Sequence, residues 1–540
     1  MGMSSNERAR SRWGWGWADR FPPPEARRQV GKMVEATLGI TGLALREPAA
    51  DPAASLPAPR VVMPDGLTTV DTSPDGRMRH TYGKAWLDQV RGFEGDYAAA
   101  PDVVAHPKDE AEVEAVLAWA DAAGVAVVPF GGGTSVVGGV ECRERDAYAG
   151  VVSLDLGRLD RVLEVDPVSR LARIQAGASG PALERQLADH GLTLRFFPQS
   201  FEFSTLGGWI ATRAGGHYAT LWTHIDELVA QTRMSTPRGV LETARLPASG
   251  AGPAPDRLVL GSEGALGVIT EATMRVRPKP TWRGSATLRF TRFDDAVGAA
   301  RALAQSGLHP ANARLLDQHE ARLNQVVRDG SHVIVVGFES ADHPLDHALA
   351  RALELGRDHG GQCPEGPTIK GGGDKARAEA ADKWRGAFLD GPYLQSLFLG
   401  LGVMADTFET ACTWDRFAAL DAAVRGAVGA VLAARCGGGS VSCRFTHLYP
   451  DGPAPYYTFV APLTRVPRGG ERELWAEVKA AASDALLAHG GTITHHHAVG
   501  RTHRPWYERE RAPLFGAVLE AAKRTLDPRG IMNPGVLLAI

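Results

Sequence analysis

Within this 540-residue chain, the stretch PFGGGTSVVGG from Pro129 to Gly139 is the one best built to grip an anion. It follows the apolar run Val125-Ala126-Val127-Val128, which predicts a short buried strand. Glycines, having no Cβ, let successive backbone N–H groups turn inward on a negative charge. The hydroxyls of Thr134 and Ser135 add donors. The loop is not a Walker loop, because no Gly-Lys-Ser/Thr ends it, and it is not a GxGxxG opening a helix. A glycine-rich hairpin turn would use the same residues, and on this segment alone both readings stand. Two further glycine segments join it, PQSFEFSTLGGWIATRAGG (198–216) and GSEGALGVITEA (261–272). Each ordered glycine carries an entropic penalty of ~0.5–1 kcal/mol. Three such loops beside strands therefore point to close backbone approach by a large, flat, phosphorylated cofactor, with tight turns as the remaining alternative.

The second half offers proton-transfer chemistry. His495, His496 and His497 stand together in THHHAVGR. Read as a strand, adjacent residues face opposite ways, so only His495 and His497 would share a face and no metal site is expected. Histidines can move protons near pH 7 and bind an anionic headgroup. The pair Tyr456 and Tyr457 lies in CRFTHLYPDGPAPYYTFV (443–460). A phenol with a free pKa of about 10 needs a neighbour to act as acid or base, and in a strand one of the two must face inward whatever the function.

The elements that must position these groups follow an α/β rhythm from about residue 98. Pro107 precedes a helix with Val113, Val116, Leu117 and Ala120 on one face, and the strand 125–130 leads into the glycine loop. GVVSLDL (150–156) and a hairpin, RVLEVD with RLARIQAG, come next. Ser179 is placed as the cap of a helix, and VITEATMRVRPKP (268–280) as an alternating strand. After 281 come antiparallel-type strands, TWRGSATLRF, SHVIVVGFE and APYYTFVAPL, between alanine-rich helices. The glycines 371–373 predict a mobile loop, and 505–540 one amphipathic helix followed by LDPRGIMNPGVL. The fold class is α+β. Expected divisions are 1–97, an N-terminal arm and helical segment; 98–280; 281–490, a separate domain with a helix-covered antiparallel sheet; and 491–540, a segment returning to the second division.

Bulk properties narrow the function. A hydrophobic content of 44% and charged content of 22% fit a soluble globular protein, and a net charge of −3 gives no electrostatic case for nucleic acid. The five cysteines show no CxxC spacing, so neither disulfides nor a zinc knuckle is indicated, and a reducing cytoplasm is expected. No run is read as approaching the ~18 to 20 apolar residues of a membrane span. The N-terminus has no secretory signal, and Trp13, Trp15 and Trp17 are expected to pack back onto the body.

These segments resemble the flavin-binding domain of the vanillyl-alcohol oxidase (PCMH-type FAD) family, and within it the alkyldihydroxyacetonephosphate synthase (alkylglycerone-phosphate synthase) family. The resemblance runs from WGWGWADRF to MNPGVLL and is tightest at PFGGGTSVVGG, SFEFSTLGGWIATRAGG, GSEGALGVITEATMRVRP, ARLLD (313–317), FETACTW (408–414) and THHHAVGR. It implies a PCMH-type FAD-binding domain of two α+β subdomains under a cap domain. It also implies FAD held without a covalent bond, the RxGGH-type attachment being absent and His217 being a packing residue. Pro129, Phe130, Gly131, Gly132, Gly133, Thr134 and Ser135 would take the diphosphate. Gln199, Ser200, Phe201, Glu202, Phe203, Ser204 and Thr205, with Ala211, Thr212, Arg213 and Ala214, would line the flavin and adenosine. Glu263, Gly264, Ala265, Leu266, Gly267, Val268 and Ile269 would close on the cofactor.

By the same resemblance His496 and His497 belong to the active site, Arg314 lies near the flavin, and a catalytic tyrosine falls at Tyr457, counting from Asp451, or at Tyr456 if the turn slips by one. The implied reaction exchanges the acyl group of acyl-dihydroxyacetone phosphate for a fatty alcohol without net redox change. An apolar tunnel in 281–490 would house the chain. One departure is Gln395, where the synthase pattern carries an arginine; losing a guanidinium removes a bidentate phosphate partner, which Arg501 or Arg385 would have to replace. The alternative is a FAD-dependent dehydrogenase of a 2-hydroxy acid such as D-lactate or glycolate, whose GDGNxH and GEHGxG motifs are not found here. A flavin-binding protein without activity is the third reading. Lipid substrates, a membrane-surface location and a homodimer are the partner expectations.

Overall fold

The computed structural model describes residues 8–38, 40–371 and 390–539. A four-stranded sheet runs in the order Thr69–Asp71, Val103–His106, Gly150–Asp155, Val125–Phe130, the last three parallel and the first antiparallel. The helix Glu110–Ala123 covers it. Asp109 caps this helix by accepting from the Glu112 N–H, and Gly124 ends it at φ 67°, a conformation that suits glycine. Its buried stripe is Val113, Val116, Leu117 and Ala120, at the spacing read from sequence. The chain's far end returns to this sheet: Val127 donates to the Ile531 carbonyl at 2.8 Å, and Asn533 donates to that of Val127 at 2.8 Å.

A five-stranded antiparallel sheet follows, ordered Val162–Asp166, Leu171–Gln175, Val268–Arg275, Val229–Thr236, Gly239–Glu242. The third sheet is larger and wholly antiparallel, ordered Thr368–Lys370, Trp282–Phe290, His332–Ser340, Asn312–Leu316, Ser440–Leu448, Pro453–Pro462, Val403–Glu409. Helices Phe293–Gln305, Asp346–Asp358, Trp414–Cys436 and Glu471–Ala488 pack on one face, where Leu288, Leu315, Phe445, Tyr457 and Phe459 meet Ala300, Leu349, Phe417 and Val478 in one core. The other face is left to the functional cavity. The antiparallel cap sheet under helices is the architecture expected from the sequence.

Several local expectations need correcting. The C-terminal helix is two helices, Arg504–Glu510 and Pro513–Leu526, because Pro513 cannot continue the first. Ser179 is the N-cap of Gly180–Ala188 but makes no side-chain capping bond. The 23-residue helix Trp414–Cys436 is long and apolar enough to cross a membrane by length and composition alone, contrary to the reading of no such run. It lies instead on the cap sheet through Phe417, Leu420, Val424, Val428 and Leu432, while Arg425 pairs with Asp421 and Asp317. Gly371 packs against the Trp282 ring; Gly372 and Gly373 lie outside the described residues. Trp13 packs edge-on to Phe21 and Phe93, and Trp15 and Trp17 edge-on to Phe203.

Candidate active site

A cavity of about 1550 Å³ separates the cap sheet from the glycine segments. It exceeds the ~300–1,000 Å³ of ordinary ligand pockets, leaving room for a cofactor and a substrate together. Residues Pro129 to Ser135 line one end. Their glycines serve packing as much as ligand approach. A Cβ on Gly131 would fall 2.3 Å from Thr205 Oγ1, and one on Gly132 2.0 Å from the Phe203 carbonyl oxygen. Stacked in this way, the loop turns its amides outward: among the described residues none of the N–H groups from Gly131 to Ser135 donates to a protein acceptor. Buried amides without partners are rare, and a run of them facing a cavity suits a diphosphate.

From the other segments, Gln199, Ser200, Ser204, Thr205, Ala211, Thr212, Ala214, Glu263, Gly264, Gly267 and Ile269 reach the cavity. The rest of the expected cofactor residues do not. Phe201, Ala265 and Leu266 belong to the core around the five-stranded sheet, and Val268 to that around the four-stranded sheet. Phe203 packs under Trp15 and Trp17, and Glu202 accepts from the Trp17 indole at 2.7 Å. Arg213 ends its helix at φ 50° and pairs with Asp226 at 2.7 Å. These residues depart from the expectation because their side chains are taken up by core packing, the Trp17 contact or the Asp226 pair instead of the cavity. Glu263 is buried, its carboxyl pushed up to about 7 by burial, and it accepts the N–H groups of Val499 and Gly500 at 2.9 and 2.8 Å.

The histidine segment is built on Glu409, at the end of strand Val403–Glu409. Residues 494–497 form a bend rather than a strand. The bend wraps this carboxylate, which accepts from His495 N at 2.7 Å, His496 N at 3.1 Å, His497 N at 3.0 Å and the Thr494 hydroxyl at 2.6 Å. Burial would raise the Glu409 carboxyl, but the surrounding histidines and the Thr494 hydroxyl hold it well below the usual range. The imidazoles of His495, His496 and His497, with that of His447, are pushed down by burial and are neutral at pH 7.

The hydrogen bonds assign the tautomers. His224 Nδ1 lies 2.8 Å from the Arg213 carbonyl and must donate there, so its Nε2 accepts from His495 Nε2 at 3.1 Å, an N–H shared with the Tyr449 hydroxyl oxygen at 2.8 Å. His495 Nδ1 then accepts from His496 Nδ1 at 3.0 Å. This leaves His496 Nε2 with a lone pair, on a side chain lining the cavity. His495 and His496, not the expected His495 and His497, come together because the backbone bends: nitrogens of His447, His495 and His496 lie within 4.8 Å of one another, near enough to share a cation. Their hydrogen bonds to Gly216, Thr446, Tyr449, His224 and each other already engage them.

Of the two tyrosines, Tyr456 rather than the expected Tyr457 faces the cavity. Along Pro453–Pro462, Tyr456, Thr458 and Val460 line the cavity, whereas Tyr457 is fully buried on the helix side, stacked on Phe408 with its hydroxyl toward Asp421. Tyr456 bonds Thr407 Oγ1 at 2.9 Å, stacks on His496 with ring centroids 5.9 Å apart, and carries the Arg444 guanidinium 4.0 Å over its ring. Arg314 lines the cavity on the same sheet, its guanidinium pushed down to about 9 by burial. Gln395 is tied to Asp406 Oδ1 at 3.0 Å and to the Ala405 carbonyl at 3.1 Å. Arg501 does not replace the missing arginine: it pairs with Glu144 at 2.6 Å, away from the cavity, and Arg385 lies outside the described residues. His217 packs between Phe197 and Tyr218.

Residues 101–245 match the FAD binding domain family and residues 279–537 match FAD linked oxidases, C-terminal domain. The chain thus carries a FAD binding domain and the C-terminal domain of the FAD linked oxidases. Among its relatives it is similar to alkyldihydroxyacetonephosphate synthase of Trypanosoma brucei brucei, at 29% identity over 493 residues covering 86% of this chain and 77% of the relative. It is also similar to the mitochondrial D-lactate dehydrogenase [cytochrome] of Arabidopsis thaliana, at 27% identity over 491 residues covering 89% and 79%. A solved alkyldihydroxyacetonephosphate synthase shares the fold with a TM-score of 0.78 and 24% identity over 97% of this chain and 98% of that one.

With these two domains the chain takes FAD as its cofactor, and the outward amides of 131–135 fit the diphosphate. Lys84, Thr407, Arg444 and His447 are among the cavity residues that escaped the sequence reading. No local pattern marks Lys84, Thr407 or His447. His447 and Arg444 sit in the quoted CRFTH segment, where the alternation that placed the tyrosines would also have placed Arg444 and Thr446 on the cavity face.

Proposed function

We propose that this protein exchanges the acyl group of acyl-dihydroxyacetone phosphate for a fatty alcohol, an alkylglycerone-phosphate synthase reaction in ether-lipid synthesis, with FAD held non-covalently. The observation that carries the reading is the single cavity joining three chemistries. Unpartnered amides line it, and so do Tyr456, His496 and Arg314. Apolar side chains, among them Leu316, Val326, Val335, Leu397, Phe398 and Val460, line it as well. A phosphorylated headgroup with an alkyl chain matches the last two sets.

In this reading Arg314 holds the anionic headgroup, in place of the arginine that Gln395 replaces. His496 Nε2 takes the proton of the incoming alcohol as its oxygen forms the new C–O bond and the fatty acid leaves as carboxylate. The Tyr456 hydroxyl, bonded to Thr407, orients the reacting carbonyl. FAD, held by the amides of 131–135, would supply the reactive centre for the exchange. Glu409 sets the bend that carries the histidines. Lipid substrates make a membrane surface the natural place of action.

The test is exchange of labelled fatty alcohol into acyl-dihydroxyacetone phosphate by the FAD-loaded protein, without oxygen uptake. Incorporation supports the reading. Its failure, with anaerobic bleaching of the flavin by a D-2-hydroxy acid, would establish the dehydrogenase instead.

A further inference from the structure

The described N-terminal residues from Arg8 fold into a hairpin, in which Ser11 N donates to the Gly16 carbonyl at 2.8 Å and Ala18 N to that of Ala9 at 2.9 Å. This strap is fastened on two sides. Toward the glycine loop, Arg10 Nη2 donates to the Gly132 carbonyl at 3.1 Å, its guanidinium lies 4.2 Å over the Phe203 ring, and the Trp17 indole donates to Glu202. Toward the cap, Trp15 N donates to Ser396 Oγ at 3.0 Å and Trp17 N to the Tyr393 hydroxyl at 3.3 Å. Gly16, at φ +60°, leaves no space for a Cβ, which would stand 2.2 Å from that hydroxyl. The Trp15 side chain lines the cavity.

A second segment presses on the same loop. Lys84 N donates to the Ser135 carbonyl at 2.6 Å, and a Cβ on Gly83 would fall 2.1 Å from that oxygen, so residues 83–84 lie flush against the loop. The Lys84 side chain is buried and lines the cavity beside the outward amides. Among the described residues neither Lys84 nor Arg10 forms an ion pair, and Arg10 Nε is buried without a partner. Burial and the mutual repulsion of the two cations push the Lys84 ammonium down to about 7, and burial pushes Arg10 to about 10. A buried ammonium such as Lys84, with no ion-pair partner among the described residues, is costly unless an anion joins it. The glycine loop itself carries no cation.

We propose that the N-terminal strap and Lys84 form the closing wall of the cofactor site: Lys84 contacts the FAD diphosphate and balances its charge, while Arg10 is a positioning residue that turns the Gly132 carbonyl away from it. The strap, tied to both the glycine loop and the cap, locks the cofactor in. The proposal rests on FAD being the resident cofactor.

The experiment strips FAD from the full chain and titrates it back by flavin fluorescence, while tryptic cleavage after Arg10, Arg12 and Arg20 is followed with and without FAD. Lys84→Met is expected to weaken FAD binding at least about 10-fold, with Lys84→Arg within about threefold of wild type. Arg10→Gln is expected to weaken binding similarly, with Arg10→Lys partly restoring it. In the unmutated protein FAD should slow cleavage of the strap. Unchanged FAD affinity in Lys84→Met, equal loss in Lys84→Met and Lys84→Arg, or cleavage indifferent to FAD would overturn the proposal. Wild-type protein that takes up no FAD would overturn the cofactor assignment itself.

Discussion

At the residue scale the site turns on which way adjacent side chains point. Tyr456 and Tyr457 are chemically alike, and period-two alternation guarantees only that they part. The helices cover the Tyr457 face, so Tyr456 meets His496. Replacing Tyr456 by Phe is expected to lower exchange turnover about 10²-fold or more with FAD retained. Tyr457→Phe should leave turnover near wild type and cost about 1 kcal/mol of stability; assays of both variants check the pair. The lowered pKa of His496 fixes the sign of a pH effect. A base must be neutral, and burial places its titration below 6.5, so kcat/KM should stay flat through neutrality and fall only in more acid solution. An acid limb centred above 6.5 would speak against His496 as the base.

Among elements, the glycine loop and the His495–His497 bend show how backbone shape outweighs residue type. The loop was legible as an anion site, but the reason for its glycines was not. They let it stack on residues 203–205, and the stacking aims the amides at the cavity. Gly132→Ala places a Cβ 2.0 Å from the Phe203 carbonyl, a backbone atom that cannot swing aside. Such overpacking costs about 1–3 kcal/mol, and the flavin-to-protein absorbance ratio of the purified variant should fall sharply. The histidine bend was misread as a strand because Glu409, 86 positions before His495, is what folds it. No local pattern encodes a carboxylate that gathers three N–H groups from so far along the chain.

For the whole molecule, the cofactor segments and the chain's end are held together by Lys523, whose ammonium donates to Asp527 at 2.6 Å, to the Ala265 carbonyl at 2.8 Å and to the Met532 carbonyl at 2.7 Å. Both partners of the ion pair are buried. Lys523→Met strands the Asp527 carboxylate and is expected to destabilise the fold by about 3–5 kcal/mol, seen as a lower urea midpoint, with FAD retention falling alongside. The cavity is a property of this scale too. Its walls come from the strap, the glycine segments, the cap sheet and the bend at 494–497, so a change in any one reaches the others.

The sequence by itself determined the class of fold and pointed to the glycine loop and the histidine segment that line the cavity, because hydrophobic period, glycine placement and histidine content are written locally. It also carried the family resemblance, which the matches over 101–245 and 279–537 agree with. Only the tertiary structure decided that Tyr456 rather than Tyr457 faces the cavity. It also put Lys84 and Arg10 at the cofactor loop and bent the three histidines around Glu409. Each of these depends on packing between residues far apart in the chain, where the choice of face or bend is set by what lies opposite and not by the neighbours in sequence.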